Sequence, residues 1–153
     1  MDWVHLHLAL NHVPVLGTGF VVFLVAWSWR KNNREALRLS LWLCILLSVS
    51  SIAIKFTGDF ALQAIGKLTP DYNHEMIRRH EQSADQAATG VFALGIVAAL
   101  AVFVSRNGRP APKWALAAVI LVGLCTFALM ARTANYGGHI RHSEIQSGVV
   151  QTP

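Results

Sequence analysis

This 153-residue sequence predicts an all-α fold, a four-transmembrane-helix antiparallel bundle with both termini on the periplasmic side. Three observations predict it. The chain is 54% apolar and only 14% charged, with a mean hydropathy of +0.43, whereas an ordinary soluble domain carries roughly a quarter charged residues. The apolar residues gather into four runs, at about 12–29, 37–55, 86–105 and 113–132, each near the about 20 helical residues that cross a hydrocarbon core of about 30 Å. The basic residues, finally, cluster between the first and second runs and between the third and fourth.

The first run follows a segment with Asp2 and no Lys or Arg before Arg30, so it lacks the basic region of a cleavable signal peptide and is expected to stay in the mature protein. Trp27 and Trp29 at its far end, with Trp42 and Trp114 near the ends of other runs, mark one interface, where indole rings concentrate. The second run leads into the one long connection, about 56–86, TGDFALQAIGKLTPDYNHEMIRRHEQSADQ. It is read as a turn from Gly66 to Pro70 with helical pieces either side, the second opening after Asn73 with Glu75 near its first turn. The third and fourth runs hold Ala84, Ala88, Gly90, Gly95, Ala98, Ala117, Ala118 and Gly123, which points to close helix packing. Lys55 and Arg132 near the span ends read as snorkelling cations. Residues 1–147 form a single domain and 148–153 a flexible tail.

The short connections hold Arg30, Lys31, Arg34, Arg38, Arg106, Arg109 and Lys113 against the single acid Glu35, while the other side has six cations and seven acids. Short loops rich in Lys and Arg stay cytoplasmic, so both termini face outward, which in a bacterium is the periplasm. The formal charge of +5 is thus an orientation signal in a bacterial inner-membrane protein rather than the footprint of a nucleic-acid partner. Cys44 and Cys125 lie inside apolar runs and read as small buried hydrophobes. There is no CxxCH, which excludes covalent c-type haem, and no Cys-rich zinc or iron–sulfur pattern. GxSxG, P-loop and GxGxxG motifs are absent too.

All seven histidines, His5, His7, His12, His74, His80, His139 and His142, fall on the outward side. His12 lies at the mouth of the first span in LALNHVPVLG, and His80 opens the third in RRHEQSADQAATG, so an antiparallel bundle could bring both rings to one depth. Ionisable groups at membrane depth are functional by default, although each also reads as an ordinary interfacial histidine. His139 and His142 follow the fourth span in NYGGHIRHSEI, three residues apart and so on one face of a helical turn. Gly137 and Gly138 end that span and let backbone approach a flat ligand. His5 and His12, seven apart, share a face if the N-terminal segment is helical, whereas His7 points away; His5, His7 and His74 read as solvated.

Histidines on facing helices of a bundle can hold a haem iron axially. The cofactor expected is haem b, one or two, with His12 and His80 the leading axial ligands, His139 and His142 next, and His5 and His74 behind them. Arg78, Arg79 and Arg141 lie where propionates would emerge, unless they are plain interfacial cations. A zinc or copper ion would use the same histidines with Asp59, Glu75, Glu81 or Asp85, but no HxxxH or HExxH spacing supports it.

Four short elements run through the chain in order: His12-Val13-Pro14 as H-x-P, Thr57-Gly58-Asp59-Phe60-Ala61 as TGxxA, the His80-Glu81 pair, and Gly137-Gly138. In these the chain resembles a family of small bacterial four-helix inner-membrane proteins catalogued as domain of unknown function 2231, over about residues 5–145. The resemblance implies a four-helix membrane domain with outward-facing His12 and His80, haem binding and redox work. His139, Arg141 and His142 replace the mostly apolar or aromatic residues of the family's last element, which implies an additional ligand or second cofactor.

The function expected is that of a membrane b-type cytochrome, a carrier rather than a turnover enzyme. It would pass electrons from a quinol to a periplasmic cytochrome or other redox partner, with the lipid bilayer and a second copy of the chain as further candidate partners. The alternatives are a structural or assembly subunit of a membrane complex and a copper- or zinc-binding protein of the outer face.

Overall fold

The structure, a computed structural model, describes residues 2–68 and 74–141, with side chains for 2–64 and 75–139. Its helices are α1 (Trp3–Leu10), α2 (His12–Arg30), α3 (Arg34–Leu68), α4 (His74–Val104) and α5 (Lys113–Arg141). Asp2 opens α1, accepting the Val4 amide at 3.1 Å and the His5 ring at 3.1 Å, and the Val4 N–H is the main influence holding its carboxyl below the ordinary range. Pro14 explains why α1 and α2 are not one helix. It offers no N–H to the carbonyl of Leu10, four residues back, and its ring crowds that carbonyl, so α1 stops at Leu10 and α2 restarts at His12. Within the first turn of α2 the missing N–H costs nothing, since it would have no helical partner.

The α2–α3 turn uses Asn32 at φ 51° and the Asn33 side chain, which accepts the Ala36 amide at 3.0 Å. The α4–α5 turn uses Asn107 at φ 60° and Gly108 at φ 76°. In the resulting ring, α2 and α4 each pack against both α3 and α5, α4 and α5 share the most extensive interface, and α1 lies along the far end of α3. This is an up-down four-helix bundle with a short extra helix at one end. Its core is built from Val21, Val25, Leu41, Cys44, Leu47, Leu94, Ala98, Ala101, Ala115 and Val119. A smaller cluster of Ala87, Val91 and Met130 lies toward the histidine-bearing end.

The glycines expected to serve the last two spans serve three interfaces. A Cβ on Gly95 would overlap Ser48 of α3, one on Gly123 would overlap Val22 of α2, and one on Gly90 would lie 2.8 Å from the Thr126 hydroxyl across α4–α5. The buried polar residues are small hydroxyls, and several donate back to their own helix: Thr18 to the Pro14 carbonyl, Ser40 to Ala36, Ser51 to Leu47 and Thr126 to Val122. The exterior is apolar instead, with Leu16, Phe20, Phe23, Leu39, Leu46, Ile96 and Leu121 all exposed. Four helical segments, Trp3–Arg30 counted as one, are long and apolar enough to cross a membrane.

Two expectations change. The expected turn does not begin at Gly66, because α3 continues unbroken through residue 68, while α4 opens at His74 with Glu75 in its first turn as expected. Cys44 is buried, but Cys125 is exposed on the apolar exterior. Residues 69–73, including the end of the expected turn at Pro70, and the expected tail 148–153 lie outside the described residues.

Candidate functional site

The site begins with two helix-interior glycines at the histidine-bearing end. Gly58 of α3 leaves room for the His7 ring of α1, whose Cε1 would lie 2.9 Å from a Cβ at that position. Gly137 of α5 does the same for His80 of α4, with Cε1 3.2 Å from the corresponding point. Both histidines are half-buried, His7 on α1 and His80 on α4.

Hydrogen bonding fixes how each ring presents its nitrogens. His80 Nδ1 lies 3.0 Å from the Thr133 carbonyl oxygen, which can only accept, so Nδ1 carries a proton and, in the neutral ring, Nε2 carries the lone pair. His7 Nδ1 lies 3.2 Å from Thr57 Oγ1. The Thr57 hydroxyl already donates to the Ile54 carbonyl at 2.6 Å, so it accepts from His7, and Nε2 of His7 also carries a lone pair. Two helices thus hold two imidazoles whose Nδ1 is backed and whose neutral form presents Nε2, the arrangement that orients metal-ligating histidines.

Around the pair is a polar collar. Lys55 Nζ reaches Asp85 at 2.8 Å and Asp59 at 3.5 Å, tying α3 to α4 instead of merely snorkelling; these groups are about half exposed, so the pairs contribute under about 1 kcal/mol. Arg132 donates to Ser83 at 3.2 Å and to Gln86, and Ser83 meets the Thr133 hydroxyl at 2.8 Å. The residues that back His80 are therefore themselves held.

The other expected ligands are placed differently. His12 is exposed on the outer side of α2, at the head of a shallow apolar groove with Val13, Leu16, Gly17 and Phe20, and does not join His80. His5 is exposed and bonded to Asp2. His139 is half-buried near the end of α5. Gly137 and Gly138 do not end that helix, which runs on to Arg141, because Gly137 serves the His80 contact. Arg78 and Arg79 are both taken by Glu75, at 2.8 Å each. The side chains of His74 and Arg141, and the whole of His142, lie outside the described residues. His7, read from the sequence as solvated, is instead half-buried against Gly58 and Thr57, at the same end of the bundle as His80. The sequence signal for it was heptad spacing: His7 stands seven residues before Pro14 and fourteen before Val21, both buried, and the αR conformation of Asn11 carries the register of α2 into α1.

Among the described residues there is no group of three or more His, Cys, Asp or Glu suited to a metal ion. A bare zinc needs at least three protein ligands, whereas an axially held haem iron needs two. Fold and site together define a four-helix bundle with an apolar exterior and a cross-bundle histidine pair at one end. Comparisons with family models, curated proteins and solved structures find no match for the chain.

Proposed function

We propose that the chain is an integral membrane electron carrier that binds one b-type haem between His7 and His80, near the periplasmic face of a bacterial inner membrane with both termini outward. The observation that carries this reading is the pair of half-buried imidazoles on α1 and α4 at one end of the bundle, each with Nδ1 donating to a fixed acceptor and Nε2 left to bind. Haem held by two imidazoles supplies one-electron chemistry. The chain's own residues do the rest: Thr57 and Thr133 orient the rings, Gly58 and Gly137 admit them, and Arg132 steadies the Ser83–Thr133 contact. The apolar exterior and the seven cations at the opposite end support the membrane setting and its orientation. Under this proposal the chain is a divergent member of the family it resembles, accepts electrons from a membrane quinol and passes them to a periplasmic redox protein.

Purification in detergent after expression with ample haem tests the reading directly. A reduced-minus-oxidised spectrum with Soret and α bands is expected, and a colourless protein sinks it. Thr57→Val keeps the volume of the residue but removes the acceptor behind His7, so haem affinity should fall about 10- to 100-fold while helicity is unchanged. Haem titration followed at the Soret band measures it.

A further inference from the structure

The ion pairs divide unequally between the two ends of the bundle. Among the described residues, every ion pair lies at the histidine-bearing end: Asp2 with His5, Lys55 with Asp59 and Asp85, and Glu75 with Arg78 and Arg79. At the other end Arg30, Lys31, Arg34, Arg38, Arg106, Arg109 and Lys113 make no ion pair. Arg30, Arg34 and Lys113 sit at helix ends, Arg38 one turn into α3, Lys31 in the α2–α3 turn and Arg106 and Arg109 in the α4–α5 turn, and all seven are exposed.

Each helix end there also places an exposed aromatic within four residues of a cation. Trp27 precedes Arg30 on α2, Arg38 precedes Trp42 on α3, and Lys113 adjoins Trp114 on α5, with Trp114 68% exposed. After α4 the Arg106 guanidinium lies 3.9 Å from the Phe103 ring centroid. An indole or phenyl ring at the depth of the acyl–headgroup boundary, with an unneutralised cation one turn nearer water, matches a phospholipid phosphate. The pattern recurs on four helices and so encircles the bundle.

We propose that this end is a selective binding collar for anionic phospholipid headgroups, a reading that rests on the membrane setting proposed above but not on haem. Each cation near an anionic leaflet favours association by about fivefold, and the one carboxylate at this end, Glu35, forms no ion pair with any of them, which leaves that attraction unspent.

The full-length chain is reconstituted into vesicles of equimolar dioleoyl phosphatidylcholine and dioleoyl phosphatidylglycerol, with either lipid replaced by its dibrominated form to quench tryptophan. Brominated phosphatidylglycerol should quench severalfold more effectively than brominated phosphatidylcholine, and the preference should shrink as salt is raised. In the Arg38→Gln/Arg109→Gln variant, whose side chains are exposed, it should fall by up to about 25-fold in relative association. Equal quenching by the two lipids overturns the collar, as does a preference that survives both high salt and the double substitution. Relief of the preference by millimolar inorganic phosphate at constant ionic strength also overturns it, since a free-phosphate site would then explain the selectivity. Flotation with pure phosphatidylcholine vesicles separates the two readings: a chain that floats but shows no preference loses only the collar, whereas a chain that does not float loses both.

Discussion

His80→Ala and His7→Ala should each abolish the reduced α band of the haem-loaded protein, while His12→Ala leaves it in place. The contrast follows from where the three rings sit. His7 and His80 are half-buried with their Nδ1 protons committed to Thr57 and Thr133, so each presents Nε2 from a fixed ring. His12 faces outward along α2 beside Leu16 and Phe20. Loss of one of two axial ligands removes the six-coordinate bis-histidine state altogether, which is a qualitative change in the spectrum rather than a small shift. Retained helicity and an unchanged elution volume would show that the effect is local. A His12→Ala protein without the band, or a His80→Ala protein that keeps it, would return the ligand role to the mouth of the first span.

The second large effect is mechanical. Gly95→Val should destabilise the bundle by about 3 kcal/mol or more, read as a fall in the reversible unfolding midpoint in mild detergent. Gly95 is buried, and a Cβ there would coincide with the short Ser48 side chain. Ser48 has no flexible end to swing aside, so α3 and α4 must move apart and open the Leu47–Leu94 core. Removing a glycine from a helix returns only about 1 kcal/mol, too little to offset the separation. Gly138→Ala is the matched control. Nothing lies within 4 Å of its Cβ, and it should be neutral or stabilise by about 0.5–1 kcal/mol. Equal midpoints for the Gly95→Val and native proteins would rule out this account of the packing.

The bundle was legible in the sequence because its signals are long and redundant. Four apolar runs of sufficient length, the opening of α4 near Glu75, and the tryptophans of one end all reappear in the structure. The site was legible only in part. His80 stood out because it interrupts a polar-to-apolar boundary, and it is indeed half-buried. His7 did not, because its place on the stripe of Pro14, Val21 and Ser28 shows only once those positions are known to face the core. His5 and His12 do share one exposed face with His7 on another, as expected; what the reading missed is that the face of His7 is the one that Pro14, Val21 and Ser28 bury. The arginines misled for a different reason. Glu75 stands three and four residues before Arg78 and Arg79, the spacing at which helical ion pairs form, and it takes both.

The break at Asn11 also decides what holds the pair together. α1 is eight residues long and contributes no fully buried side chain. It rests on α3 through the His7–Thr57 hydrogen bond and the Trp3 ring against Phe60, 4.7 Å between centroids. A helix that short has little stability of its own, so His7 is mounted on a latch, whereas His80 is mounted on the frame. Any ligand that bridges the two rings fastens that latch. Filling the site and closing the N-terminal segment over it are then a single equilibrium, with each strengthening the other by the same factor.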